Sequence, residues 1–132
     1  MLLVEDNPAD AGLVRKTLEE HGVEGEVTHI IDGETAIAFI EALDTDQLDC
    51  PDLAIIDLNL PKRPGQDVLE CMRQSPKCRE IPVIILSSSD AKRDVADAER
   101  LRASQYIRKP TRLEEFLRLG TIFKAALDRS SH

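Results

Sequence analysis

The chain has 132 residues, 42% of them apolar, and a formal charge of −8. This length suits one domain with one hydrophobic core, so we predict a single domain over residues 1–132. The excess of carboxylates disfavours DNA as a direct partner, because phosphate backbones attract basic surfaces. No run approaches the roughly 18–20 apolar residues of a membrane span, and no signal peptide is recognisable, which predicts a cytoplasmic protein without a membrane partner.

Short apolar runs alternate with helical patterns along the chain. The runs are LLV at 2–4, VTHII at 27–31, LAII at 53–56, VIIL at 83–86 and YI at 106–107. Helical patterns lie at about 8–21, 33–43, 66–74, 90–102 and 112–128. Asn7 and Pro8 are suited to begin the first helix and Gly22 to end it. The Val- and Ile-rich runs suit strands buried on both faces, so we predict an α/β fold with a parallel sheet between two layers of helices.

Three cysteines, Cys50, Cys71 and Cys78, occur without C-x-x-C spacing. An odd number with no such spacing indicates neither a disulfide framework nor a zinc site. We therefore predict free thiols in a reducing compartment. We interpret His21 and His29, at a helix end and within a strand, as structural residues.

Chemically active side chains follow the apolar runs. Glu5 and Asp6 follow the first run, Asp57 the third, Ser87 the fourth and Lys109 the last. In an open parallel sheet the carboxyl ends of the strands form the edge where ligands bind. Taken singly, each residue could be a helix cap, a turn residue or a solvated side chain. Their joint arrangement predicts one shared site.

Three carboxylates at one site repel, by roughly 4 kcal/mol for a pair at about 4 Å in an effective dielectric near 20. A cation is therefore expected, and oxygen ligands without His or Cys favour Mg²⁺. The predicted ligands are Glu5, Asp6, Asp57 and the main-chain carbonyl of Asn59. With Lys109 as a second positive charge, the site could receive a phosphoryl group.

Asp57 is the predicted nucleophile, because it ends the most apolar run and a carboxylate can attack phosphorus. Ser87 could donate its hydroxyl to a phosphoryl oxygen. A phosphatase of the haloacid dehalogenase type would need a second aspartate two residues after the first, where this chain has Asn59. An FMN binder would need a hydroxyl- and glycine-rich loop after the first strand, where this chain has NPADAG. Both alternatives are disfavoured.

The segments VEDNPAD, IIDLNLPKRPG, VIILSSSD and YIRKP together resemble the receiver domain of two-component response regulators, over nearly the whole chain. The resemblance implies a flavodoxin-like (βα)5 fold with five parallel strands in the order 2-1-3-4-5. It also implies that Asp57 is the phosphoacceptor, that Ser87 and Lys109 assist it, and that the bond before Pro110 is cis. Tyr106 matches the position of the aromatic residue that rotates when receivers switch.

Family membership would make the protein a signalling component, not an enzyme that turns over external substrates. It implies phosphoryl transfer from a sensor histidine kinase, then control of a partner protein or relay through a histidine phosphotransfer protein. The DLNLPK and SPKCREIP segments are similar to those of small regulators paired with bacteriophytochromes. The alternative is a pseudo-receiver, an interaction module of the same fold that is not phosphorylated.

The last two helices carry predictions about the switching face. The fourth offers only small core residues, namely Ala91, Val95 and Ala98, so moving it should cost little. The fifth is expected to bury Leu113, Phe116, Leu117, Phe123 and Leu127. Leu119 and Ile122 would then point away from the core and could form a homodimer or partner surface with the fourth helix and fifth strand. Scattered exposed apolar residues are the competing interpretation.

Overall fold

The computed structural model describes residues 1–130. Five parallel strands form one sheet in the order β2-β1-β3-β4-β5. They are β1 Leu2–Val4, β2 Thr28–Ile30, β3 Ala54–Ile56, β4 Val83–Ser87 and β5 Gln105–Arg108. Every residue of β1, β3 and β4 is buried, whereas the edge strands β2 and β5 are partly exposed. The predicted class and strand order are confirmed.

Helices cover both faces of the sheet. They are α1 Pro8–Glu20, α2 Gly33–Thr45, α3 Gly65–Gln74, α4 Lys92–Arg100, α5 Leu113–Phe116 and α6 Leu119–Ser130. One core lies between the sheet and α2, α3 and α4, and a second lies between the sheet and α1, α5 and α6. Among residues 1–130, no helix is both long enough and apolar enough to cross a bilayer.

The start of α1 is fixed as the sequence predicted. The side-chain oxygen of Asn7 accepts hydrogen bonds from the main-chain N–H groups of Ala9 and Asp10, at 2.9 and 3.1 Å. Pro8 occupies the first turn, and Gly22 follows the helix with a φ of 71°. The cap directs the first turn of α1 to the carboxyl edge of the sheet, because Asn7 lies just after β1.

The single helix expected at about 112–128 is instead two helices, and Thr17 of α1 accounts for the break. The Thr17 hydroxyl accepts the N–H of Gly120 at 2.9 Å and donates to the carbonyl oxygen of Leu117. A side chain inserted into the hydrogen bonds of a helix interrupts them. Gly120 permits the close approach, because a Cβ there would overlap the ring of His21 and the carbonyl oxygen of Thr17.

The break changes which residues face the core, so part of the predicted pattern is wrong. Leu113, expected in the core, is 54% exposed, whereas Leu119, expected to point outward, is only 6% exposed. Ile122 also packs against the core. The apolar surface predicted from Leu119 and Ile122 is therefore absent, and the predicted homodimer loses that support.

Helix α4 contributes little buried surface, as predicted. Ala98 is its only buried residue and Val95 is half-buried. Ala91 was expected in the core but is exposed, because it lies at the cap position before the first turn.

The prediction of three free thiols is wrong. Cys50, in the loop before β3, and Cys78, in the loop before β4, form a disulfide whose Cα atoms are 5.6 Å apart. The two residues are 28 positions apart in sequence, so only the fold brings them together. Cys71 remains a free thiol, and burial raises its pKa to about 11.

Arg73 at the end of α3 connects two loops at the amino edge of the sheet. Its guanidinium donates to the main-chain carbonyl oxygens of Arg79 and Ile81, before β4, at 3.0 and 2.8 Å. It also donates to those of Leu101 and Arg102, after α4, at 3.2 and 2.8 Å. The planar, multivalent guanidinium suits such a set of acceptors. The C-terminal end of α4 is therefore tied to the loop that carries the disulfide.

Candidate functional site

The strand ends place the predicted residues at one edge of the sheet. The main-chain N–H of Asp57 donates to the carbonyl of Val4 at 3.0 Å, and that of Lys109 donates to the carbonyl of Ser87 at 2.8 Å. The pairing of the strands thus continues to the residues that carry the site. Asp57 and Glu5 are 5% and 2% exposed.

Lys109 is the cation of this edge. Its Nζ lies 2.8 Å from Glu5 Oε1, 2.8 Å from Asp10 Oδ2 and 2.9 Å from Asp57 Oδ2. An ammonium group has three N–H donors, so each can be directed to a different carboxylate. Burial alone would lower the pKa of Lys109, but the hydrogen bonds that it donates to Asp10, Glu5 and Asp57 hold this pKa above its ordinary value.

The burial and crowding of carboxylates in the cluster are most evident in the pKa of Glu5. Burial raises its pKa to about 7, and the nearby charge of Asp57 adds to this increase. The hydrogen bonds from Lys109 and from the main-chain N–H of Asn7 oppose it. One lysine therefore compensates these carboxylates only in part, which is the condition in which a further cation is favoured.

Glu5, Asp6 and Asp57 can supply a metal site. One carboxylate oxygen from each lies within 4.8 Å of the others, and no comparable group of metal-ligating side chains occurs elsewhere in residues 1–130. Asp6 is exposed, so the site is open to solvent. A set of oxygen donors with space for water fits Mg²⁺. Asn59 directs its N–H to Asp57 Oδ1 at 3.2 Å, and its carbonyl as a ligand stays a prediction.

The segment after β3 holds Asp57 in place. The N–H of Gly65 donates to the carbonyl of Leu58 at 2.9 Å, which brings the start of α3 against this segment. A Cβ on Gly65 would overlap the main-chain carbonyl oxygen of Asp57. Glycine is required there because the two backbones approach so closely.

The two predicted switch residues meet at the loop between β4 and α4. Ser87 is fully buried, and its hydroxyl oxygen accepts the N–H of Ser89 at 3.2 Å. Tyr106 donates its hydroxyl to the carbonyl oxygen of Ser89 at 2.7 Å. Burial raises the pKa of Tyr106, against hydrogen bonds with Ser89 and Ser87. The Ser89 hydroxyl in turn donates to Asp94 of α4.

No cis peptide bond occurs in residues 1–130, so the expected cis bond before Pro110 is not present.

Sequence reasoning missed Asp10. It is the third residue of α1, and the first turn of this helix lies at the carboxyl edge of the sheet. An acidic residue three positions after the cap was the available signal. His29, which the sequence indicates is structural, donates from its Nε2 to the main-chain carbonyl oxygen of Glu5 at 2.8 Å. Its role is structural, but it lies directly beside the acidic pair.

Comparison with known proteins agrees with this architecture. The family model described as the response regulator receiver domain matches residues 1–119. Response regulator Rcp1 of Synechocystis is 33% identical over 120 residues, which are 90% of this chain and 82% of that protein. The relatives of this chain are signalling proteins of this kind and not conventional enzymes.

Two solved structures of similar proteins carry features relevant to the site. The phosphorylated cyanobacterial phytochrome response regulator RcpA has a TM-score of 0.84 and 33% identity, covering 93% of this chain and 89% of its own. The Mn²⁺-bound form of Rcp1 has a TM-score of 0.84 and 32% identity, covering 94% and 90%. The chain therefore belongs to the family of response regulator receiver domains of two-component signalling.

Proposed function

We propose that the domain accepts a phosphoryl group on Asp57 from the phosphohistidine of a sensor histidine kinase. The observation that carries this proposal is the position of Asp57. Its carboxylate is held between Lys109 and the N–H of Asn59, and it belongs to the group of three carboxylates able to bind a metal. A nucleophile so placed is pre-positioned for attack on phosphorus.

Glu5, Asp6 and Asp57 would hold Mg²⁺, with the main-chain carbonyl of Asn59 as a further ligand. When bound, this ion neutralises carboxylate charge and polarises the oxygens of the incoming phosphoryl group. The metal-bound form of a relative of similar fold supports the assignment. The partial compensation by Lys109 supports it independently.

The residues of the chain perform the remaining steps. A carboxylate oxygen of Asp57 forms the new O–P bond while the P–N bond to histidine breaks, and the imidazole leaves with the electron pair. Lys109 donates to one phosphoryl oxygen and the Ser87 hydroxyl to another, so charge that spreads over these oxygens meets fixed donors. Ser87 must turn its hydroxyl toward Asp57 to do this.

That rotation is the proposed start of the switch. The Ser87 oxygen accepts the N–H of Ser89, and Tyr106 is bonded to the carbonyl of Ser89, so a movement of Ser87 disturbs the loop before α4. Helix α4 buries little apolar surface and can follow the loop at low cost. The face formed by α4, β5, α5 and α6 would then bind and control a partner protein or pair two copies of the chain. In a relay, Asp57 would instead pass its phosphoryl group to a histidine phosphotransfer protein.

Incubation with phosphoramidate or acetyl phosphate and Mg²⁺, followed by intact-mass measurement, tests the proposal. Wild type should gain one phosphoryl group that hydroxylamine removes, as expected for an acyl phosphate. Asp57→Asn should gain none. Asp49→Asn, the same change at an exposed loop position outside the site, should react like wild type.

Failure of wild type to gain phosphate, where another receiver domain reacts, would contradict the proposal. The pseudo-receiver alternative would then stand, with the same face serving only for binding. Phosphate that persists in Asp57→Asn would show that the acceptor lies elsewhere.

A further inference from the structure

Asp10 differs from the other two carboxylates that contact Lys109. Glu5 and Asp57 belong to the group able to bind a metal, whereas Asp10 does not. Its Oδ2 lies 2.8 Å from Lys109 Nζ, as close as the oxygen of Glu5. Its side chain is 25% exposed, so the contact is partly shielded from water.

The three contacts should respond differently when the site is used. A divalent ion on Glu5 and Asp57 takes up much of their negative charge, and this weakens their attraction for Lys109. A phosphoryl group on Asp57 further occupies one of its oxygens. Asp10 lies outside the group able to bind a metal, so neither the ion nor the phosphoryl group engages its carboxylate. Of the three carboxylates, Asp10 is therefore the one that can continue to hold the Lys109 ammonium group.

Asp10 is also rigidly placed. Its main-chain N–H is bonded to the capping oxygen of Asn7 at 3.1 Å, and the next residue, Ala11, is buried in the core. A side chain fixed by backbone and packing can define the position of its partner. A carboxylate in a first turn also interacts favourably with the helix dipole, and this effect alone would be purely structural.

We propose that Asp10 is a positioning residue that keeps Lys109 directed at Asp57 when the divalent ion and the phosphoryl group engage the other carboxylates. The inference rests on the proposed function of Asp57. It assigns Asp10 no contact with the metal or with the phosphoryl group.

The first experiment measures phosphorylation by phosphoramidate at saturating Mg²⁺. Asp10→Asn should react about tenfold more slowly, because a displaced donor loses its effect on the transferred group. Its Mg²⁺ affinity should stay within about twofold of wild type, since Asp10 binds no metal. Asp10→Glu should recover part of the rate. Glu34→Gln, which removes an exposed first-turn carboxylate of α2, is the matched control and should react like wild type.

Combining variants separates positioning from a structural effect. In a Lys109→Gln background, Asp10→Asn should cause no further loss of rate, because the partner is already gone. An equal further loss in that background would overturn the proposal. So would an unchanged or faster rate of Asp10→Asn alone, or a tenfold loss of its Mg²⁺ affinity.

A second measurement does not depend on phosphorylation. In protein with ¹⁵N-labelled lysine, the ammonium signal of Lys109 should remain protected from solvent exchange after Mg²⁺ is added to wild type. It should be lost in Asp10→Asn and retained in Glu34→Gln. Protection that survives in Asp10→Asn would overturn the proposal. A protected signal that requires Asp10, in protein that takes no phosphate, would refute the proposed function and leave the contact with Asp10 established.

Discussion

The raised pKa of Glu5 predicts that a change of pH alters both stability and metal affinity. Folding moves this pKa from 4.5 to about 7, because the carboxyl group is buried. Between these values the folded state keeps a proton that the unfolded state has lost. The free energy of unfolding of the metal-free protein should therefore fall as pH rises through this range, by on the order of 3 kcal/mol in total, and stay level above it.

Metal binding should show the opposite trend. A ligand carboxyl group must lose its proton to bind Mg²⁺, so affinity should rise by up to tenfold per pH unit until about pH 7 and then level off. Calorimetric titration in two buffers of different ionisation enthalpy would also detect the released proton.

Urea unfolding of metal-free protein isolates the contribution of Glu5. The difference in free energy of unfolding between wild type and Glu5→Gln should change between about pH 5 and about pH 8. The variant should be relatively more stable at the higher pH, because its side chain has no proton to lose. Glu34→Gln is the matched control, since Glu34 is exposed. A Mg²⁺ affinity that is equal at both pH values, or a Glu5→Gln protein with the same pH dependence of stability as wild type, would refute the reasoning.

Three further predictions concern contacts outside the metal-binding carboxylates. Thr17→Val removes the hydroxyl that bonds to Leu117 and Gly120 and should lower the free energy of unfolding by about 1–3 kcal/mol. A smaller loss in urea unfolding would mean that water takes over these hydrogen bonds. Cys78→Ala removes the disulfide and should lower the free energy of unfolding by up to about 3–4 kcal/mol. Cys71→Ser, the control at the free thiol, should lower it far less, and equal losses would contradict a disulfide in solution. Tyr106→Phe should cost about 1 kcal/mol and speed amide exchange in the loop around Ser89; unchanged exchange would show that this bond does not hold the loop.

Sequence reasoning predicted the sheet and the edge that carries the site, because both depend on local patterns. Apolar runs of β-branched residues mark buried strands, and the residues that follow them must lie at one edge of a parallel sheet. Glu5, Asp57, Ser87 and Lys109 were found in this way, and the structure brings them together. Helix ends were predicted where a cap residue or glycine marks them, as at Asn7.

The features that were missed depend on contacts between distant segments. Thr17 interrupts a helix about one hundred residues away, and the only local signal near Leu117 is Gly120, which many helices tolerate. Cys50 and Cys78 have no recognisable spacing, because only the pairing of β3 with β4 brings the loops before these strands together. Asp10 resembled an ordinary first-turn acid, because its contact with Lys109 joins the first helix to the residue after the last strand.

The four carbonyl contacts of Arg73 give α4 unequal ends. Its C-terminal end is bound through Leu101 and Arg102 to a guanidinium group that also grips the loop before β4. Its N-terminal end is held by the side-chain contacts of Asp94 with Ser89 and Gln66. A rearrangement of the loop between β4 and α4 would therefore pivot the helix about its C-terminal end, which Arg73 holds, so that the end carrying Asp94 moves farthest.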